Sequence, residues 1–215
     1  MAGSGLLHAG YFVLLQRGYA SGDLSVVYPL ARGTGPLLAL PLAALLLAER
    51  PTPTDLAGAL VVIGSIIALT GRPRPGDGTT IAFALATGVL IASYTIWDAS
   101  AVNRITVSVV AYYWGTEIFR TALLTPAALA RRADVARIWR EQRRTVLAVA
   151  VLSPLAYILV LAALQLATVT LVAPVRELSI VIGAFAGTVL LGEPAGPRRV
   201  LCAAGVVAGI VLLAL

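Results

Sequence analysis

The 215-residue chain is predicted to be an all-α integral membrane protein, a bundle of about eight transmembrane helices. Three observations lead there. Hydrophobic residues make up 59% of the chain and charged residues 12%, far from the roughly one-quarter charged composition of a soluble domain. Mean hydropathy is +0.92. Apolar runs near the ~20 residues needed to cross the hydrocarbon core recur along the chain, so lipid is the solvent for the whole fold.

Cutting at Pro, Gly and charge clusters yields spans at 5–21, 24–48, 55–71, 79–100, 105–127, 145–167, 169–191 and 198–215. The connectors Arg17–Asp23, Glu49–Asp55 and Ala167–Thr170 have room only for tight antiparallel hairpins. Thr54 or Asp55 is placed to cap the third span, and Pro197 suits the first turn of the last. The longest polar insert, Ala130 to Thr145, carries six Arg with Asp134, Glu141 and Trp139, and Leu129, Val135 and Ile138 as further apolar members. That pattern predicts a short interfacial helix facing lipid headgroups.

The net charge of +6 comes from sixteen Arg and no Lys. Arg72, Arg74, Arg131, Arg132, Arg137, Arg140, Arg143, Arg144, Arg198 and Arg199 lie in polar connectors, where loops meet anionic headgroups. No basic stripe with interleaved aromatics remains, and nucleic acid is not an expected partner. The one cysteine, Cys202, lies in an apolar run, so no intrachain disulfide or thiolate cluster can form. The N-terminus lacks a basic region and a cleavage motif, so no removable signal peptide is expected. There is no metal-ligand cluster and no phosphate-binding loop. The single histidine, His8, has no nucleophile motif beside it, and the chain is expected to be neither an enzyme nor cofactor-dependent.

Internal similarity is the most informative feature. Pro29 and Arg32 open an apolar run that ends L-L-L-A-E-R-P at Glu49; Pro174 and Arg176 open another that ends V-L-L-G-E-P at Glu193. Seventeen residues separate Arg from Glu in both cases, and a Pro-containing connector and a small-residue helix follow each. Such an ordered set of matches indicates a duplicated unit.

These residues resemble the drug/metabolite transporter superfamily, in particular its EamA-like members. The likeness rests on Tyr19 through Arg32 (Y-A-S-G-D-L-S-V-V-Y-P-L-A-R), the A-E-R-P and G-E-P ends at Glu49 and Glu193, and Tyr94-Thr-Ile-Trp-Asp98. The resemblance implies ten helices in two inverted five-helix halves around a central cavity. On that pattern residues 1–75 form a first repeat with three helices, lacking the family's first two, and residues 76–215 form a complete second repeat, a 3+5 bundle.

Arg32 and Arg176 lie inside apolar spans, where an Arg costs ~2.5 to 3.5 kcal/mol on insertion scales. Either they face a cavity and attract an anionic group, or they form structural pairs, for example Arg176 with Glu177 or Arg120 with Glu117 one turn away, or they snorkel toward an interface. Asp98 reads as a cavity-rim carboxylate or as a solvated helix end, the latter being favoured. His8 reads as a hydrogen-bonded helix-face residue rather than a proton relay. Glu49 and Glu193 are read as helix-terminating or cross-repeat groups. Among the aromatics, Tyr28 and Tyr94 are assigned to the cavity, Trp139 and Trp114 to interface belts, with Tyr11, Trp97 and Tyr157 further pocket candidates. Pro29, Pro154 and Pro174 are candidate kinks. The candidate substrate-binding set is therefore Tyr28, Arg32, Tyr94, Trp97, Asp98, Tyr157, Arg176 and Glu177.

The expected function is secondary transport of a small metabolite such as an amino acid or related zwitterion or anion, by rocking of two repeats. The resemblance implies export coupled to protons from a multi-pass inner (plasma) membrane location, with a homodimer as a possible assembly. A non-transporting membrane subunit or scaffold is the alternative. On orientation, the resemblance implies cytoplasmic termini, whereas the Arg counts of the connectors, which carry slightly more weight, place the 131–144 loop on the cytoplasmic side, opposite both termini.

Overall fold

A computed structural model describes residues 1–69, 77–105, 107–182 and 196–215, apart from the side chains of Leu24 and Ser25. Among these residues every regular element is a helix: α1 (Ala2–Ser21), α2 (Leu24–Leu46), α3 (Pro53–Ala68), α4 (Gly78–Arg104), α5 (Val109–Ala130), α6 (Arg132–Leu166), α7 (Val169–Val175) and α8 (Pro197–Leu213). Residues 178–182 are also helical. Glu193, Arg72 and Arg74 lie outside the described residues.

Val26–Leu46, Gly78–Arg104 and Arg132–Leu166 are each long and apolar enough to cross a membrane, and Pro53–Ala68 is a shorter apolar helix. Two boundaries differ from expectation by more than ten residues: the expected span 169–191 is interrupted after Val175 by a turn at Arg176 and Glu177, and α6 starts early. The sequence places the start of α6 at 145, whereas helix begins at Arg132 because the expected interfacial segment runs directly into the span. The join is visible at Gln142, whose φ of −128° and ψ of 26° interrupt the helical geometry.

Local chemistry explains several ends. Thr52 and Asp55 form a reciprocal capping box, with Pro53 at the first position, where its missing N–H costs nothing. Ser108 accepts from the Ala111 N–H at the start of α5. Ala48, after the last turn of α2, has a φ of 55°, a left-handed conformation that costs a non-glycine residue ~1 to 2 kcal/mol. This turn sends Glu49 across to α7. Its carboxylate accepts from Val169 N (2.6 Å), Thr170 N (3.0 Å) and Thr170 Oγ1 (2.7 Å). Glu49 thus satisfies N–H groups that the helix leaves open and sits at the positive end of its dipole.

The order of contacts shows the helix directions. Cβ atoms added at Gly3, Gly10 and Gly22 of α1 or its end would meet Trp97, Leu90 and Thr80, so α1 and α4 are antiparallel. Gly88 meets Ala31 and Thr34, and Gly35 meets Ile91, so α2 runs alongside α4 in the same sense. The α3–α8 crossing brings backbone against backbone. A Cβ on Gly58 would lie 2.7 Å from the Gly209 carbonyl oxygen, and one on Gly209 would lie 2.7 Å from that of Gly58. Backbones in contact at facing glycines are how helices associate in lipid, where no hydrophobic drive separates lipid tails from side chains. The largest apolar core joins α2, α4, α5, α6 and α7 through Ala39, Ala43, Ile96, Tyr112, Leu161 and Val172.

Candidate functional site

Between α1, α2, α4, α5, α6 and the segment after α7 lies a cavity of about 390 Å³. Its walls are His8 and Tyr11 from α1, Arg32 from α2, Tyr94 from α4, and Tyr113, Glu117 and Arg120 from α5. Ser153, Ala156, Tyr157 and Val160 from α6, with Arg176 and Ser179, close it.

Two guanidinium groups from distant parts of the chain converge on one carboxylate. Arg32 Nε is 3.0 Å from Glu177 Oε2, and Arg176 Nε is 3.6 Å from Glu177 Oε1. Glu177 is completely buried, and the Arg side chains keep 18% and 12% exposure, on the cavity side. Neither contact has hydrogen-bond alignment, so the carboxylate neutralises charge without saturating the donors. Arg32 Nη2 also donates to Ser179 Oγ at 3.3 Å, and its guanidinium lies 6.0 Å from the Tyr28 ring. Arg120 pairs with Glu117 at 2.5 Å. Among the described residues of this wall and its ion pairs, three Arg face two Glu, an excess of one positive charge.

The other wall is aromatic. The His8 ring stacks on Tyr94 at 4.1 Å and meets Tyr157 edge-on at 5.0 Å, and Tyr11 meets Tyr94 edge-on at 5.7 Å. His8 Nδ1 lies 2.9 Å from the Ser4 carbonyl oxygen, which can only accept. In the neutral ring Nδ1 therefore carries the hydrogen and Nε2 presents a lone pair, buried and without a partner among the described residues. Beneath this layer Asp98 accepts from Tyr112 Oη (2.7 Å) and Tyr157 Oη (2.6 Å), which ties α4, α5 and α6 together.

The structure gathers Arg32, Tyr94, Tyr157, Arg176 and Glu177 at this cavity, with Asp98 directly behind Tyr157. Three expectations need correction. Asp98 is no solvated helix end: it is 0% exposed, because α4 continues beyond it to Arg104 and both its oxygens are taken by tyrosine hydroxyls. Trp97 is 50% exposed and lines a separate apolar groove with Gly3, Leu6 and Leu46, since it is one residue from Asp98 and so on another face of α4. Tyr28, 37% exposed, flanks Arg32 from outside the cavity wall. Sequence reading did not single out Tyr113, Ser153 and Ser179. The signal was helical spacing: Ser153, Tyr157 and Val160 share one face of α6, and Ser179 lies one turn beyond Arg176.

Fold and site together define a multi-pass helical membrane protein with a solute-sized polar chamber inside the bundle. The family model described as EamA-like transporter family matches residues 78–215, and the chain belongs to that family of membrane transporters of the drug/metabolite type. A search among curated proteins found no match. His, Cys, Asp and Glu form no group of three able to hold a metal ion among the described residues.

Proposed function

We propose that this transporter exports a small zwitterionic or monoanionic metabolite of amino-acid size, binding its carboxylate in the 390 Å³ cavity between Arg32 and Arg176. The observation that carries this reading is the pair of under-saturated guanidinium groups sharing one buried carboxylate. A substrate carboxylate supplies the aligned acceptors that Glu177 does not, and the single excess positive charge of the wall matches one net negative group. The tyrosine faces, Glu117 and the His8 Nε2 lone pair offer an ammonium group its partners.

The two arginines occupy matching positions in residues 1–75 and 76–215, the two repeats of this proposal. Rocking one repeat on the other would open the site to alternate sides. Proton coupling and a plasma-membrane location belong to the same reading. Flux measured in proteoliposomes across a panel of amino acids and small carboxylates tests it. Arg32→Ala should abolish uptake of the preferred solute while the protein still elutes as a single folded species. Undiminished flux in that variant overturns the site, and no flux of any solute by the wild-type chain overturns the transport reading in favour of a scaffold.

A further inference from the structure

A second ligand surface lies away from the cavity, on residues 132–144 at the start of α6. At ~1.5 Å per residue its 35 residues extend ~52 Å, well beyond a hydrocarbon core of ~30 Å. About fifteen residues must therefore lie outside the core, and the break at Gln142 marks where the direction of the helix can change. Every residue from 131 to 145 is exposed. Six Arg against Asp134 and Glu141 give this segment four excess positive charges, with Arg137 and Asp134 paired at 2.8 Å.

The charges and the apolar groups are sorted by face. At ~100° per residue, Val135, Ile138 and Trp139 fall within an arc of ~100° bordered on one edge by Arg132 and Arg143, while Arg137, Arg140, Arg144, Asp134 and Glu141 occupy the opposite side. The apolar three are each about half exposed, and Leu129 before them is more so. A nucleic acid would use the basic face and leave the apolar one in water. A bilayer surface uses both, taking the apolar arc below the headgroups and the guanidinium groups among the phosphates.

We propose that residues 132–144 form an interfacial docking helix for anionic phospholipids, which hold it in the membrane plane and fix the bend at Gln142. The proposal stands on this segment alone and is independent of what the cavity carries. Trp139 reports on it. Because the chain has three Trp, Trp97→Phe with Trp114→Phe leaves Trp139 as the single fluorophore. The full-length variant is placed in nanodiscs of phosphatidylcholine alone or with phosphatidylglycerol, each containing a lipid brominated just below the headgroup.

Quenching and a blue shift of Trp139 should be markedly stronger with phosphatidylglycerol and should diminish in high salt. Changing Arg137, Arg140, Arg143 and Arg144 to Gln should remove the difference, and each single Arg→Gln change should weaken the phosphatidylglycerol-dependent part of the binding constant roughly fivefold. Hydrogen exchange on the unsubstituted chain supplies a readout free of any folding defect: amides of 132–144 should be more protected in the anionic discs. Equal quenching and equal protection in both bilayers overturn the proposal. So does perturbation of Trp139 by a short DNA duplex at a lower phosphate concentration than phosphatidylglycerol requires.

Discussion

Replacing Glu177 with Gln removes the charge that holds Arg32 and Arg176 together while keeping the shape of the side chain. With separations of 3.0 and 3.6 Å and an effective dielectric of ~20, each attraction amounts to roughly 5 kcal/mol before desolvation is counted. Desolvation of three charged groups offsets much of that. The expected net loss is therefore the about 3 to 5 kcal/mol seen when one partner of a buried ion pair is deleted. The variant is left with two adjacent cations open to the cavity, so an added anion should recover part of the loss, ~2.7 kcal/mol at a hundredfold excess over its dissociation constant. Thermal melting in detergent, with and without a panel of small carboxylates, reads both effects. Glu177→Gln should melt well below the wild type without anions and gain more from carboxylates than the wild type does. Changing Arg32 to Gln as well should raise the melting temperature back toward the wild type, because one unpaired charge has been removed. The reasoning is refuted if Glu177→Gln melts like the wild type and carboxylates raise the two equally.

Other outcomes follow from individual contacts. Ala48→Gly relieves the left-handed backbone at the end of α2 and should stabilise the protein by about 1 kcal/mol, read as a raised melting temperature. Gly209→Leu drives a side chain into the Gly58 carbonyl and Val62, and should destabilise by about 1 to 3 kcal/mol or more, with lowered yield of monodisperse protein. Glu49→Gln keeps one acceptor at the α7 N-terminus and loses the charge, so a smaller loss of about 1 kcal/mol is expected, diminished further in high salt. A cysteine placed at Ala136 in a chain lacking Cys202 should resist an impermeant thiol reagent in intact cells and react after permeabilisation, as the connector charges require; labelling in intact cells reverses the orientation.

How much of this was legible in the sequence depended on the distance over which each feature is determined. Spans are local: the apolar runs and Pro197 at the start of α8 carry their reason within a turn of chain, whereas the cap of α3 is Thr52 and not the expected Thr54 or Asp55, because Pro53 takes the first helical position and puts Asp55 at the third. The presence of Arg32, Arg176 and Glu177 at one site was also foreseeable, because a charge inside an apolar span must find a partner within the bundle. Their meeting point was not. Arg176 is adjacent to Glu177 in sequence, yet the shorter contact to that carboxylate comes from Arg32. Asp98 failed for a related reason. A carboxylate near the expected end of a span looks solvated, and only the packing of α5 and α6 brings the Tyr112 and Tyr157 hydroxyls to both its oxygens. Glu49 lies between these cases. Its position before a proline marks a helix end, but the groups it caps belong to a helix that begins 120 residues later. The A-E motif at Ala48 and Glu49 is thus more than a stop signal: the left-handed residue turns the chain so that the next carboxylate reaches the opposite half of the bundle.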